Sequence, residues 1–153
     1  MADRTSSSIT VSAPRATVMG VIADFAAYPQ WATGVSAAEV VEPGDAGRPG
    51  KVRFVLDAGM IKDSYVLAYE WDGDGAVRWE LAEAGTMVTQ MSGAYLLAED
   101  GTGTKVSYEL AVGTRMPMLG MLKRRAEKAI IETALKGLKT RTEGLQPRTG
   151  QEQ

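Results

Sequence analysis

Residues 61–71 read Ile-Lys-Asp-Ser-Tyr-Val-Leu-Ala-Tyr-Glu-Trp, and every second position from Tyr65 to Trp71 carries a large apolar side chain. Residues 77–81 and 105–112 alternate in the same way. A period of two with one apolar face is typical of strands in a sheet that is covered on one side and exposed to water on the other. The alternation therefore predicts an antiparallel sheet whose apolar face packs against another part of the chain.

Glycine-rich turns divide the middle of the chain into six strand-like segments. They are predicted at about Val35–Glu42, Lys51–Asp57, Ile61–Trp71, Ala76–Leu81, Met87–Ala98 and Thr104–Gly113. The connections between them are short, so the strands should pair as an up-and-down meander. A short strand at Ser8–Val11 comes first, followed by a helix that Pro14 opens and by a second short helix or turn around residues 29–33.

The long helix predicted from Pro117 to about Glu143 is the candidate to cover the apolar face of the sheet. At ~100° per residue, one stripe along it contains small and apolar side chains, namely Leu119, Leu122, Ala126, Ile130, Thr133 and Gly137. Ile131, Ala134 and Leu138 widen the stripe on one flank. Lys123 and Glu127 lie at its edge, four residues apart, and are interpreted as a surface ion pair.

Two motifs carry a resemblance to a known family. Val21-Ile22-Ala23-Asp24-Phe25 with Tyr28-Pro29-Gln30-Trp31 resembles the first-helix signature of the polyketide cyclase/dehydrase and lipid-transport family of the START-like (SRPBCC) superfamily. Gly101-Thr102-Gly103-Thr104-Lys105-Val106 before Tyr108-Glu109-Leu110 resembles its last hairpin and strand. We interpret the aromatic cluster of Phe25, Tyr28 and Trp31, with Pro29, as packing that pins the helix pair to the rim of the sheet.

The resemblance covers residues 6–143 and implies an α+β helix-grip fold. In this fold a curved antiparallel sheet of about seven strands wraps around a long C-terminal helix, with two short helices after the first strand. Residues 144–153 form a polar tail that we expect to be disordered. The fold hosts carriers, enzymes and regulators alike, so it does not by itself identify an activity.

Seven aromatic side chains should face inward: Phe54, Tyr65, Tyr69, Trp71, Trp79, Tyr95 and Tyr108. They form either plain core or the lining of a pocket, and the resemblance favours a pocket with phenol hydroxyls as hydrogen-bonding groups. The candidate ligand-binding residues are Phe54, Tyr65, Tyr69, Trp79, Met91, Tyr95 and Tyr108 on the sheet and Leu122, Ala126 and Ile130 on the helix.

Alternate turns of a meander lie at the same end of the sheet, and one end collects methionines beside glycines or prolines. Met60, Met87, Met116 and Met118 therefore form a candidate pocket entrance, because methionine suits adaptable apolar surfaces. The resemblance implies that the pocket opens there. Chance clustering of 8 methionines is the alternative. Asp63 and Arg115 flank this end, and we expect both to be solvated.

The composition of the chain argues against several kinds of chemistry and of binding partner. The chain has no cysteine and no histidine, which excludes thiol chemistry and Cys/His zinc sites, so we expect neither a metal nor a cofactor. The net charge of -2 gives no basic field for nucleic acid. The N-terminal residues lack a signal-peptide pattern and no segment has the length of a membrane span, so we expect no stable membrane insertion and a cytoplasmic location.

Three functions remain open. We favour a carrier of a lipid, polyketide or similar small apolar or amphipathic ligand. The alternatives are a polyketide aromatase/cyclase or dehydratase that uses the same cavity, and a protein-binding regulator. The absence of histidine counts against the enzymatic alternative, because histidine is the commonest general base. We expect a monomer or weak dimer.

Overall fold

The computed structural model describes residues 4–58, 61–116 and 120–145. Seven strands form one antiparallel sheet in the order β1-β7-β6-β5-β4-β3-β2. The strands are β1 (Thr5–Val11), β2 (Val35–Pro43), β3 (Pro49–Ala58), β4 (Ile61–Asp72), β5 (Ala76–Glu83), β6 (Val88–Asp100) and β7 (Gly103–Thr114). The predicted meander of six strands is confirmed, and β1 adds to the free edge of β7.

The helices follow the predicted order. Helix α1 (Arg15–Ala23) leads through a short 3-10 helix (Phe25–Ala27) into α2 (Tyr28–Trp31), and α3 (Gly120–Leu145) ends the described chain. Helix α3 therefore extends two residues beyond its predicted end, into the segment that was predicted as a tail. The rest of that tail lies outside the described residues.

Irregular pairing bends the sheet. The register shifts three times between β2 and β3, once between β4 and β5 at Val66/Leu67, and once between β6 and β7 at Val88/Gln90. Such bulges increase the local bend and twist of a strand. One face of the sheet is therefore concave, and the inward alternation predicted from the sequence lines this face.

The first helices close one side of the concave face with aromatic rings. The ring centroid of Phe25 lies 5.0 Å from that of Tyr69 and 5.9 Å from that of Phe54. The ring centroid of Tyr28 lies 4.8 Å from that of Trp31, and the Tyr28 hydroxyl donates a hydrogen bond to the carbonyl oxygen of Ile22 at 2.6 Å. The packing role predicted for this cluster is confirmed.

The buried face of α3 differs from the predicted one. Its buried residues are Glu127, Ile131, Leu135, Leu138 and Thr142. Ile131 is fully buried, whereas Ile130 is 47% exposed and Leu122 is 60% exposed. The predicted stripe is thus about one residue, or ~100°, out of phase. The physical reason is the position of the helix, which packs mainly along β1, with further contacts to β7 and α1.

Glu127 corrects a second prediction, because it does not form a surface ion pair. Its side chain is only 2% exposed, although it does contact the Lys123 ammonium group at 2.7 Å. The carboxylate also accepts hydrogen bonds from the Thr5 hydroxyl at 2.7 Å and from the backbone N–H of Val112 at 2.8 Å. Glu127 therefore ties α3 to both β1 and β7.

Candidate ligand-binding interior

Burial of the inward-facing apolar residues varies along the concave face. Near the polar turns, Val52, Val77, Leu97 and Val106 are buried. Near the opposite ends of the same strands, the inward-facing apolar residues are only partly buried, namely Leu56, Leu81, Met91 and Val112. These partly buried apolar residues lie toward the end of the sheet that carries Met87.

The rim of the sheet at this end carries exposed methionines. Met87 is 37% exposed and Met116 is 74% exposed. Met60 and Met118, the other two methionines of the predicted entrance, lie outside the described residues. Flexible apolar side chains at an opening suit passage of an apolar molecule.

Asp63 lies at the same rim, and the expectation that it is solvated is wrong. The side chain is 8% exposed, and its carboxylate accepts hydrogen bonds from the backbone N–H groups of Ser64, Thr86, Met87 and Val88 at 2.7 to 3.0 Å. Burial raises the pKa of this carboxyl, but the four N–H donors together outweigh burial and hold the pKa below its ordinary value. Asp63 therefore clamps the turn between β5 and β6 onto β4.

Gly85 makes this clamp possible. A Cβ atom at position 85 would lie 2.3 Å from a carboxylate oxygen of Asp63, so any side chain there would displace the carboxylate. Arg115 completes the rim just after β7, because its backbone N–H donates to Met87 O at 2.8 Å and its Nε donates to Thr86 O at 3.2 Å. Arg115 is exposed, as predicted.

Aromatic rings line the interior beyond the rim. Trp79 lies at the centre of the group, with ring centroids 5.8 Å from Tyr69, 5.5 Å from Tyr95 and 5.6 Å from Tyr108. A Cβ atom on Gly93 would lie 2.5 Å from the Trp79 ring, so the indole occupies the space that a side chain at that position would take. The glycine thus lets a large ring lie flat against β6.

All 5 tyrosines of the chain point into this interior. Burial raises the pKa of Tyr69 well above its ordinary value, and the nearby hydroxyls of Tyr108, Tyr65 and Tyr95 raise it further. The same two effects raise the pKa of Tyr95 and of Tyr28. The rings of Tyr95 and Tyr108 lie 4.6 Å apart, so these two phenol groups are neighbours in the interior.

Four of these hydroxyls have no protein partner among the described residues. Tyr28 is the exception, since it binds Ile22 O. The sealed polar atoms without a partner in the described chain are Trp31 Nε1, Arg53 Nε and Thr142 Oγ1, and no tyrosine hydroxyl is among them.

The structure brings most of the predicted sheet residues together. Phe54, Tyr65, Trp79, Tyr95 and Tyr108 are buried on the concave face, and Tyr69 and Met91 are partly buried there. Among the helix residues, Ala126 is half-buried, while Leu122 and Ile130 are exposed, so their predicted burial over the sheet is wrong. Gly137 contacts α2 instead, because the Trp31 carbonyl oxygen would lie 2.6 Å from a Cβ atom at position 137.

Sequence reasoning missed two features of this region. The first is the Asp63 clamp. The sequence contains a signal for it, because Asp63 occupies an inward position in an alternation that is otherwise apolar, two residues before Tyr65. Its hydrogen-bond donors on residues 86–88 are distant in sequence, however, and could not be identified. The pairing of Gly93 with Trp79 depends on register, which alternation alone does not give.

The surface has further indentations. A groove of about 620 Å³ at the rim is lined by Leu56, Asp63, Thr86 and Arg115 together with outer residues such as Ser36, Asp57 and Lys62. Another groove, of about 640 Å³, lies between α2 and α3. None of the helices in the described part of the chain combines the length and hydrophobicity of a membrane span.

Comparisons with solved structures show the same fold. A START superfamily protein from Mycobacterium smegmatis superposes with a TM-score of 0.86 at 22% identity, over 94% of this chain and 99% of its own. A protein from Thermus thermophilus gives 0.78 at 24% identity, over 94% and 99%. The Zhui aromatase/cyclase from Streptomyces sp. R1128 gives 0.74 at 19% identity, over 98% and 99%.

Sequence comparison identifies the family. A search of curated proteins gives no significant match. The model of the family described as "Polyketide cyclase / dehydrase and lipid transport", however, matches residues 2–143, which is nearly the whole chain. The sheet, the helices and the two sequence motifs agree with this match. The chain therefore belongs to the polyketide cyclase/dehydrase and lipid-transport family of START-like, helix-grip proteins.

Proposed function

We propose that this protein binds and carries a small, largely apolar ligand in the interior between the concave face and α3. The observation that carries the proposal is the gradient of burial, which leaves Leu56, Leu81, Met91 and Val112 partly open at the methionine rim. Apolar surface that stays accessible inside a curved sheet gains about 25 cal/mol per Å² when a ligand covers it. The family, whose description includes lipid transport, supports the same role.

The chemistry of the interior supports binding over proton-transfer catalysis. A general acid or base works best when its pKa lies near the operating pH. The interior tyrosines have pKa values raised by burial, which makes them poor bases at neutral pH. Asp63 and Glu127, the buried carboxylates of the described chain, are both saturated with hydrogen bonds. An aromatase/cyclase activity, as in the Streptomyces neighbour, is therefore the second candidate.

A matched pair of variants tests the proposal. Leu56 faces the cleft, whereas its neighbour Val55 lies on the opposite, convex face. We expect the wild type and Val55→Trp to bind the neutral dye Nile red with about micromolar affinity. Leu56→Trp fills the open end and should weaken binding about tenfold or more. Fluorescence titration gives the affinities, and thermal melting shows that each variant is folded.

Met91→Trp provides a second block from β6 in case the Leu56 variant unfolds. Folded blocking variants that bind Nile red as tightly as Val55→Trp would place the dye outside the cleft and contradict the proposal. Failure of the wild type to bind Nile red or any other apolar probe would leave a surface-interaction role as the leading function. The cytoplasmic location and the monomeric or weakly dimeric state stay predictions.

A further inference from the structure

Exposed apolar side chains gather at one end of the molecule. Met116 is 74% exposed just after β7, and Met121 and Leu122 are 78% and 60% exposed in the first turn of α3. Met87, which is 37% exposed, lies close to Met116, because its carbonyl oxygen accepts the backbone N–H of Arg115 at 2.8 Å. Contiguous apolar groups on a surface mark an interaction site, whereas scattered ones do not.

The connection between β7 and α3 keeps the parts of this patch close together. Gly120, where α3 begins, follows Met116 by four residues, and four residues span at most ~14 Å. The second turn of α3 is fixed at the same end, because Glu127 accepts a hydrogen bond from the backbone N–H of Val112 near the end of β7. The four apolar side chains therefore form one patch at the rim.

The first turns of α3 present their part of the patch away from the body of the protein. The buried side of the helix includes Ile131 and Leu138. At ~100° per residue, Leu122 and Arg125 lie on the opposite side. Side chains in these positions can contact an external surface without rearrangement of the fold.

Basic side chains accompany the apolar ones. Residues 110–126 include Arg115, Lys123, Arg124 and Arg125 and no acidic residue, although the net charge of the chain is -2. Arg115 and Arg125 are both exposed, and neither forms an ion pair with a described residue. Their guanidinium groups are therefore available to an anionic partner.

The acidic residues near the rim do not cancel these charges. They are Asp57, Asp63, Glu83 and Glu127. Asp63 and Glu127 are buried and hydrogen-bonded. Glu83 lies 3.8 Å from Arg53, and Lys62 is the cross-strand neighbour of Asp57. The charge that this end presents to an external surface is therefore positive.

We infer that this end of the molecule docks on the surface of an anionic lipid bilayer. Met116, Met121 and Leu122 enter the boundary between head groups and acyl chains, while Arg115 and Arg125 contact lipid phosphates. Apolar side chains interleaved with basic ones are typical of segments that lie in a membrane interface without crossing the membrane. Each cation near an anionic leaflet adds to the binding. This docking goes beyond the carrier role and does not depend on what the interior binds.

Co-sedimentation with lipid vesicles measures the docking. We expect the protein to bind phosphatidylcholine vesicles that contain about 30% phosphatidylserine, and to bind vesicles of phosphatidylcholine alone about tenfold more weakly. Raising the ionic strength to about 0.5 M should weaken binding to the anionic vesicles severalfold, because salt screens the arginine charges.

Two variants and two matched controls locate the contact. Met121→Ser/Leu122→Ser should weaken binding to anionic vesicles about tenfold, and Arg125→Gln about fivefold. Val41→Ser removes an apolar side chain that is 44% exposed on β2, and Lys136→Gln removes an exposed cation further along α3. Both controls should bind like the wild type, and thermal melting shows that each variant is folded.

A fluorescent label reports which part of α3 meets the lipid. Because the chain has no cysteine, a single introduced cysteine can be labelled with the environment-sensitive dye NBD. The dye on Met121→Cys should brighten and shift to the blue when vesicles are added, since it enters an apolar layer. The dye on Lys136→Cys should not respond.

The outcomes separate docking from the carrier function. Equal dye responses at the two positions, or equal vesicle binding by the patch variants and the controls, would overturn the inference because the protein would adsorb through another surface. Failure of the wild type to bind anionic vesicles would also overturn it and would leave the patch to a protein partner. Nile red titration without vesicles reports the carrier function separately, so either can fail alone.

Discussion

Asp63 shows how one residue positions the rim of the cleft. Its carboxylate collects four backbone N–H groups, three of them from residues 86–88 of the turn that carries Met87. Hydrogen bonds to a charged acceptor are roughly twice as strong as neutral ones. The Asp63 carboxylate can be buried because the N–H groups of this turn supply most of its hydrogen bonds. The position of the turn and the local stability therefore both depend on Asp63.

Replacing Asp63 with asparagine should therefore cost stability. The amide retains one acceptor oxygen and turns an NH2 group toward backbone N–H donors. We expect a loss of about 2–4 kcal/mol in the free energy of unfolding. Asp57→Asn is the matched control, since Asp57 is exposed on the neighbouring strand and should change the free energy by less than about 0.5 kcal/mol. Urea unfolding measures both, and similar losses in the two variants would show that the clamp contributes nothing.

Single positions differ in how far the sequence predicts them. The inward tyrosines could be predicted because alternation within one strand decides the face on which a side chain lies. The roles of Asp63 and Gly85 could not, because they depend on which turn meets which strand across the sheet. The same limit applied to Glu127, whose burial is stabilised by Thr5 and Val112 from two other strands.

At the level of elements, strands were predicted better than the long helix. Every strand lies within three residues of its predicted bounds, because glycine-rich turns and a period of two mark both the ends and the face. Helix α3 carries apolar residues on two adjacent faces, including Ile130 and Ile131. Periodicity alone does not choose between these faces, and the contacts with β1 and α1 that decide between them involve residues distant in sequence.

The two isoleucines test the orientation of α3. Ile131→Asp places a carboxylate at a fully buried position and should lower the free energy of unfolding by about 3 kcal/mol or more. Ile130→Asp changes a position that is 47% exposed and should cost less than about 1 kcal/mol. Urea unfolding monitored by circular dichroism measures the free energy of unfolding of both variants. The reverse order of stabilities would restore the helix face predicted from the sequence.

The titration behaviour of the whole molecule follows from its composition and its buried carboxylates. Burial raises the pKa of Asp63 and of Glu127, but their hydrogen bonds lower it by more, so both values lie below the ordinary ones. The hydrogen bond from Lys139, followed by one from the Ser12 backbone, lowers the pKa of Glu143. A carboxyl group whose pKa is lower in the folded state stabilises the protein at pH values above its unfolded-state pKa of about 4. This stabilisation is lost as the pH falls through the folded-state pKa.

We therefore expect stability to be nearly constant from about pH 6 to pH 8 and to fall below about pH 5. The flat range follows because the chain has no histidine to titrate there. Urea unfolding across this range measures the profile, and Glu127→Gln should show a shallower loss in acid. A marked drop in stability between pH 8 and pH 6 would contradict the assignment to carboxylates.

The order of the strands has a consequence for how the chain acquires its structure. β1 is synthesised first, yet it pairs only with β7, with Thr5 opposite Leu110. The loop that closes between them is long, and folds dominated by such distant pairs fold in milliseconds to seconds. During synthesis the first strand therefore has no partner until the seventh has left the ribosome. Completion of the sheet therefore waits for β7, and until β7 is available β1 presents an unpaired backbone edge.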